Sequence, residues 1–443
     1  MFSRKPFDNP YLQGNYAPVT SLLHQTELPC RGTLPEDLNG LFVRNGPNPM
    51  TPPKAAKHHW FVGDGMLHGL RFEQGRAVWY RNQPVSANGS TANTHVIGHA
   101  GNLYALVEAG GAPVKVDDQL NSLTEPAFDN TLPRGLSAHT KFEAATGSIH
   151  AMCYDFKRGY RLSYVEIGAD NKLAQHRDIK LPSQSMVHDC ALTEHYVVVF
   201  DLSITFSPSR LIRRYFPFAW NPKHQARIGL LHRKDLSQAI TWFEIAPCYI
   251  FHAMNAFEDR AGRVILEAMR YERIFDQNKL GPFGESLPYP TRWTLDVGTG
   301  SVTENRFDDR ASEFPRVHPN LEGQATEFGY ALGVGRNANA LDFNQILKYH
   351  RRDDQVAVHQ LAPPKMASEP VFVPKAHAEA EDDGYLLSYI FDQDTESSEL
   401  MILDAQNVSA EPIACIDLPQ RVPFGFHGSW IPSAETAAAK PAE

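Results

Sequence analysis

One local form recurs from "GLFVRNGPNPM" to "ELMILDA": an apolar or alternating run, a tight turn, and a second such run. "MLHGLRFEQGRAVWYRN" turns at "EQG", "NTHVIGHAGNLYALVE" turns at Ala-Gly-Asn, and "KFEAATGSIHAMCYDF" and "TRWTLDVGTGSVTENRF" repeat the pattern. Val, Ile, Tyr, Phe and Leu runs joined by Gly, Asn or Asp are hairpin chemistry. No sustained 3.6-residue period competes with it, so the chain is expected to be all-β. So many hairpins must hide their edges, and over 443 residues a propeller or a large barrel does so best. The strand units vary and carry no WD or kelch signature, so strand count supports a propeller but not a blade number. No linker divides residues 1–432, which are expected to form a single domain, with 433–443 a disordered tail.

Bulk properties narrow the function classes. A formal net charge of -9 and a pI of about 6.1 lack the basic footprint of a nucleic-acid binder. The five cysteines are scattered without a CxxC, so neither a disulfide framework nor a zinc–thiolate site is expected, and a reducing cytoplasm is the default. The N-terminal residues lack a signal-peptide apolar region, and no run reaches the roughly 18–20 apolar residues of a membrane-spanning helix. The 25 Phe, 16 Tyr and 6 Trp suit a roomy apolar pocket and a large β-core equally. One stretch departs from the hairpin pattern: "SITFSPSRLIRRYFPFAWNPKHQ", residues 203–225, interleaves large apolar residues with Arg210, Arg213, Arg214 and Lys223. It reads as a core-packed cap insertion or as an interfacial patch touching lipid or oily substrate.

Nineteen histidines are many for this length. His24, His176, His224, His350 and His377 fall in turn-like, solvated text. Four others share a different setting: His139 in "GLSAHTKF", His188 in "SMVHDCAL", His252 in "YIFHAMNAF" and His427 in "FGFHGSW". Each is at or near the end of an apolar, strand-like run. Any one of them alone reads most simply as a core residue with a satisfied hydrogen bond. Innermost propeller strands converge on one axis, however, so single histidines from different blades could meet there. Four imidazoles without thiolates would suit a divalent first-row metal such as iron. Glu108 in "LYALVEAGG", Glu313 in "SEFPRVHP" and Glu369 in "SEPVFVP" also sit in apolar text, where an ionised carboxylate needs a partner. They could orient ligating histidines, or be ordinary loop residues.

The ordered strings "FVRNGPNP", "HHWFVGDGMLHGLRF", "SAHTKF", "MVHDCALTE", "FHAMNAFED", "EFPRVHPN", "EPVFVPKAHAEAEDDGYLLSYIFD" and "VPFGFHGSW" resemble the carotenoid cleavage oxygenases, a non-haem iron family with stilbene-cleaving members. The resemblance runs from about residue 8 to 432. It implies a seven-bladed β-propeller capped on one face by loops and short helices. Fe(2+) would be bound by His139, His188, His252 and His427, with Glu108 holding His188, Glu313 holding His252 and Glu369 holding His427. Thr94 in "TANTHV" matches a family position that projects toward the iron. Phe61, Val107, Phe251 and Phe426 are expected along a substrate tunnel. The implied reaction is O2-dependent cleavage of an alkene C=C bond into two carbonyls. Stilbene-cleaving members carry a phenol-binding lysine where this chain has Val107, and the segment after "VWYRN" is short. An apocarotenoid is therefore the expected substrate, with a phenylpropanoid or stilbene alkene, or an apolar ligand bound without turnover, as alternatives. There is no GxSxG and no GxGxxG to support a hydrolase or a dinucleotide enzyme.

Overall fold

A computed structural model describes residues 9–87, 89–133, 135–155, 160–335 and 342–433; apart from Ser433, the expected 433–443 tail lies outside the described residues. The strands build a seven-bladed β-propeller, with one additional two-stranded hairpin. Blade 1 contains Gly40–Pro47, Gly65–Glu73 and Arg76–Val85. Blade 2 contains His95–His99, Asn102–Leu106 and Val114–Val116. The innermost strands of the next four blades are Lys141–Glu143, Cys190–Leu192, Tyr249–Glu258 and Ser312–Arg316. Blade 7 is built on Gly384–Asp392, Ser397–Asp404 and Ala414–Asp417.

Local chemistry accounts for the hairpins. At "EQG", Gln74 and Gly75 both take positive φ, 48° and 71°, the mirror-image turn whose twist matches the flanking strands. Glu73 consequently faces Arg76, and the apolar face of "MLHGLRF" turns inward.

Both chain ends close the circle. Cys30–Gly32 adds the outermost strand of blade 7 by pairing with Ala414–Asp417. Gly428–Pro432 becomes the innermost strand of blade 1 by pairing with Gly40–Pro47. The edge each blade would otherwise expose at the seam is thereby satisfied. Gly40 is required at this seam. A Cβ there would lie 2.5 Å from the carbonyl oxygen of Ile431 and 2.7 Å from the Trp430 ring.

Helix is scarce among the described residues: one α-helix, Pro208–Ile212, and short 3-10 turns such as Ala55–Lys57. The helix lies between the strands Ile204–Phe206 and Phe218–Trp220 of the extra hairpin, within the 203–225 segment. Its side chains divide between the two sequence readings. Ile204 and Phe218 are buried, whereas Leu211 and Ile212 are 52% and 81% exposed.

His224 departs from its expected solvated setting. It is buried, with Nε2 2.9 Å from Asp201, because the insertion folds back and places it in a buried network with Ser185 and Arg227. Asp201 is itself wholly buried and requires those partners.

Gly40→Val is expected to lower stability by about 1–3 kcal/mol through overpacking at the closing seam, measured by urea unfolding. Wild-type stability would show that the seam tolerates a side chain.

Candidate metal centre

Each of the seven blades delivers one residue to the axis. His427 immediately precedes the innermost strand of blade 1, and Glu108 follows the second strand of blade 2. His139 and His188 each lie two residues ahead of the innermost strands of blades 3 and 4. His252 is in the innermost strand of blade 5, Glu313 in that of blade 6, and Glu369 interrupts that of blade 7.

The last three positions share a local device. Ile250 to Ala253 faces Arg270 to Ala268, so the strand bearing His252 carries one extra residue. The strand bearing Glu313 has the same surplus between Glu313 and Arg316, and Phe314 there takes φ 52°. Ala367 pairs with Ile390 and Val371 with Leu387, which gives the strand around Glu369 its own extra residue. These are β-bulges, which re-aim a side chain without ending the sheet. A phenylalanine in the left-handed region is strained, and the strain sits next to a functional carboxylate.

The four imidazoles form one cluster. Ring centroids of His139 lie 4.2 Å from His188, 5.0 Å from His252 and 4.6 Å from His427. The His252 ring is 5.3 Å from His188 and 4.9 Å from His427. All four are buried.

Carboxylates orient two of the rings directly. His252 Nδ1 donates to Glu313 at 2.6 Å, and His427 Nδ1 donates to Glu369 at 2.9 Å. An ionised carboxylate only accepts, so it holds the proton on Nδ1 and leaves the Nε2 lone pair free. Glu313 also accepts the Phe314 N–H at 2.6 Å, and Glu369 is gripped by Arg316 through two bonds of 2.9 Å. The third carboxylate is looser. Glu108 accepts from Ser137 Oγ at 3.0 Å and Ala138 N–H at 2.8 Å, and its other oxygen stands 3.9 Å from His188 Nδ1, beyond a hydrogen bond.

Electrostatics favour the neutral form of three of the four imidazoles. Burial, reinforced by the neighbouring rings, pushes the His139 and His188 imidazoles well below their usual range. Burial also lowers His427, although Glu369 opposes it. For His252 burial is outweighed by Glu313, and the imidazole is raised. Burial raises Glu108 to about 8, whereas Arg316 and His427 overcome burial at Glu369 and hold its carboxyl below the ordinary range.

A metal ion fits this arrangement. Nε2 of His139 and of His252 are buried without a hydrogen-bond partner, an expensive condition unless something accepts their lone pairs. Ligand atoms of His139, His252 and His427 lie within 4.8 Å of one another, as do those of Glu108, His139 and His188. Neutral nitrogen donors without thiolate suit a divalent first-row metal.

Two cavities meet at the histidines and differ in character. One of about 310 Å³ is lined by aromatic and aliphatic side chains, including Trp60, Phe216, Phe314 and Phe343. Thr94, Phe61, Val107, Phe251 and Phe426 all line it. Thr94 is buried, with its hydroxyl donating to Asn93 at 3.0 Å. The other cavity, about 490 Å³, is lined by the charged side chains of Lys141, Asp189, Arg316 and Glu322 as well as by apolar ones such as Ile149 and Phe372.

A family model described as retinal pigment epithelial membrane protein (RPE65) matches residues 16–91 and 82–432. The chain belongs to the carotenoid cleavage oxygenase family. A carotenoid cleavage oxygenase of Mycobacterium tuberculosis is 36% identical over 96% of this chain and 98% of its own length. Among solved structures, the lignostilbene dioxygenase of Pseudomonas brassicacearum superposes with a TM-score of 0.88 at 27% identity, covering 97% of this chain and 100% of that one. Cobalt-substituted apocarotenoid oxygenase of Synechocystis superposes with a TM-score of 0.87 at 25% identity, covering 95% and 98%. Carotenoid cleavage oxygenases are non-haem iron enzymes that cleave alkenes.

Sequence reasoning missed Trp60, Phe314 and Phe343 in the apolar cavity and Arg316 behind Glu369. Nothing in the local text marks these residues, because their roles arise from contacts between distant blades. Arg316→Met removes both charged bonds to a buried carboxylate and is expected to cost about 3 kcal/mol, read from urea unfolding. Unchanged stability would show that His427 and the Gly428 N–H suffice for Glu369.

Proposed function

We propose that His139, His188, His252 and His427 bind one Fe(2+) and that the chain cleaves a C=C bond of an apocarotenoid with O2. The observation that carries this reading is the junction of a dry, aromatic cavity with four buried imidazoles. The reaction balances without an external reductant: both atoms of O2 enter the products, and the C=C bond supplies the four electrons as it becomes two C=O groups. Iron, when bound, supplies the activation of O2 that this scission requires.

The chain's own residues do the rest. Glu313 and Glu369 hold their histidines in the metal-binding tautomer and orientation. Phe61, Phe251 and Phe426 pack edge-on around the mouth of the cluster, with Phe61 ring centroids 5.9 Å from Phe251 and 5.7 Å from Phe426. They exclude water and confine a planar conjugated chain so that one double bond faces the site. Thr94 closes one wall beside the histidines.

Substrate class follows from the lining. No lysine or arginine borders the apolar cavity among the described residues, and Val107 presents only methyl groups. A volume of about 310 Å³ is at the small end for ligand pockets and suits a shortened polyene. The Tyr154 and Tyr271 hydroxyls support a second reading, a phenolic stilbene or phenylpropanoid, consistent with the likeness to lignostilbene dioxygenase.

The cap supports contact with a lipid surface. Leu211 and Ile212 are exposed, as is Val62, which is 58% exposed and lines the apolar cavity. Lys57 donates to the Arg213 carbonyl and joins the two segments, and exposed Arg213 and Arg214 flank them. No helix among the described residues is long and apolar enough to cross a membrane.

Fe(II)-loaded protein is expected to release aldehydes aerobically from an apocarotenal, identified by mass. Aldehydes from a hydroxystilbene or a propenylphenol alone would move the assignment to the phenolic class. Iron binding with no product from any of them would favour an apolar-ligand binder. His252→Ala is expected to abolish iron binding, and Glu313→Gln to weaken retention about 10–100-fold. Full iron occupancy of His252→Ala by elemental analysis would sink the ligand set. Ile212→Glu is expected to reduce co-sedimentation with anionic liposomes several-fold; equal binding would remove the cap from that role.

A further inference from the structure

Direct carboxylate support reaches only part of the histidine cluster. Among the described residues no carboxylate hydrogen-bonds the His139 imidazole, and Glu108 stands 3.9 Å from His188. On this side lies Asp189, the residue after His188, at 2% exposure. Its Oδ1 accepts the Cys190 N–H at 2.7 Å and lies 2.9 Å from Nζ of Lys141. Its Oδ2 accepts the Ala253 N–H at 2.9 Å. Lys141 is two residues beyond His139, and Ala253 follows His252. One carboxylate therefore ties together the innermost strands of blades 3, 4 and 5, each time within two residues of a clustered histidine.

Among the described residues no β-ladder joins the sheets of these blades, so the Asp189 contacts cross boundaries that the ladders leave open. Holding the blades together does not by itself call for charge. A buried ion pair carries a large desolvation cost, and apolar residues of the same size often serve stability as well or better. What a charged, multiply bonded carboxylate adds is fixed direction: three partners held along set lines, instead of a contact that can slide. Asp189 borders the larger cavity and is absent from the lining of the apolar one, so it does not touch the substrate.

We propose that Asp189, clamped by Lys141, is a positioning residue for the metal site. Through their backbones it sets the spacing of His139 and His188, whose direct carboxylate support is missing or loose, against His252, which Glu313 holds. The inference rests on the metal reading of the cluster.

Co(II) substitution tests it, because its d–d bands report ligand geometry and its release rate reports retention. Asp189→Asn and Lys141→Met are each expected to shift the bands and speed Co(II) release about 10–100-fold, the range typical of outer-shell partners. Lys141→Arg, which keeps the ion pair, should restore both. The double variant Asp189→Asn/Lys141→Met should be no worse than either single one. Wild-type bands and release rate in folded Asp189→Asn would overturn the proposal. So would faster release that merely tracks a lowered melting temperature while the bands stay unchanged. If Asp189→Asn does not fold, Lys141→Met decides, and wild-type behaviour there overturns it equally. Wild-type protein that binds no Co(II) would refute the metal reading and this proposal with it; binding with insensitive variants refutes this proposal alone.

Discussion

The burial of four imidazoles and three carboxylates around one axis is the constraint on which this structure turns. Ionised groups taken out of water cost several kcal/mol each unless they are paired and hydrogen-bonded. The architecture meets that demand by drawing one group from each blade, so that two of the three carboxylates meet a histidine from a neighbouring blade. Glu313 meets His252, and Glu369 meets both His427 and Arg316. None of these partners is close in sequence. His427 and Glu369 are 58 residues apart, and His252 and Glu313 are 61 apart. The site exists only when the circle has closed, which places the seam between Gly40–Pro47 and Gly428–Pro432 in the service of His427.

The two cavities give the centre two distinct sides. Toward the cap, stacked and edge-on aromatic rings produce a dry chamber. On the other side, Lys141, Asp189, Arg316 and Glu322 bring charged groups to the lining of the second cavity. An oily substrate and charged second-layer groups can therefore approach the same histidines without sharing a compartment. The bulges around His252, Glu313 and Glu369 make this possible, since a regular strand would point alternate residues toward its neighbours rather than along the axis.

Much of this was legible in the chain. Hairpin turns such as "EQG" declare themselves locally, because φ > 0 at two successive residues selects Gly and its few substitutes. The four histidines stood out because an imidazole at the end of an apolar run needs a reason, and the ordered family motifs supplied one. His224 misled, since its turn-like text hid a buried pairing with Asp201. The 203–225 segment is divided, with Phe216 and Phe218 lining the cavity and Leu211 and Ile212 exposed. The looser stance of Glu108 toward His188 could not be read from residue types at all. It depends on whether Ser137 and the Ala138 N–H claim the carboxylate first.

By itself, the sequence determined the all-β class, the histidine and glutamate candidates, and the apolar residue Val107 where a phenol-binding lysine would stand. The first two follow from local rules, turn stereochemistry, strand composition and the cost of polar groups in apolar text, whereas the reading of Val107 follows from the family resemblance. Only the tertiary structure decided which groups share a hydrogen bond, that Arg316 backs Glu369, and that Asp189 joins three blades. It also decided that Trp60 and Phe343, nearly 300 residues apart, line one chamber. Those facts depend on distances across the closed ring, and distance between blades is set by packing rather than by any neighbour in the chain.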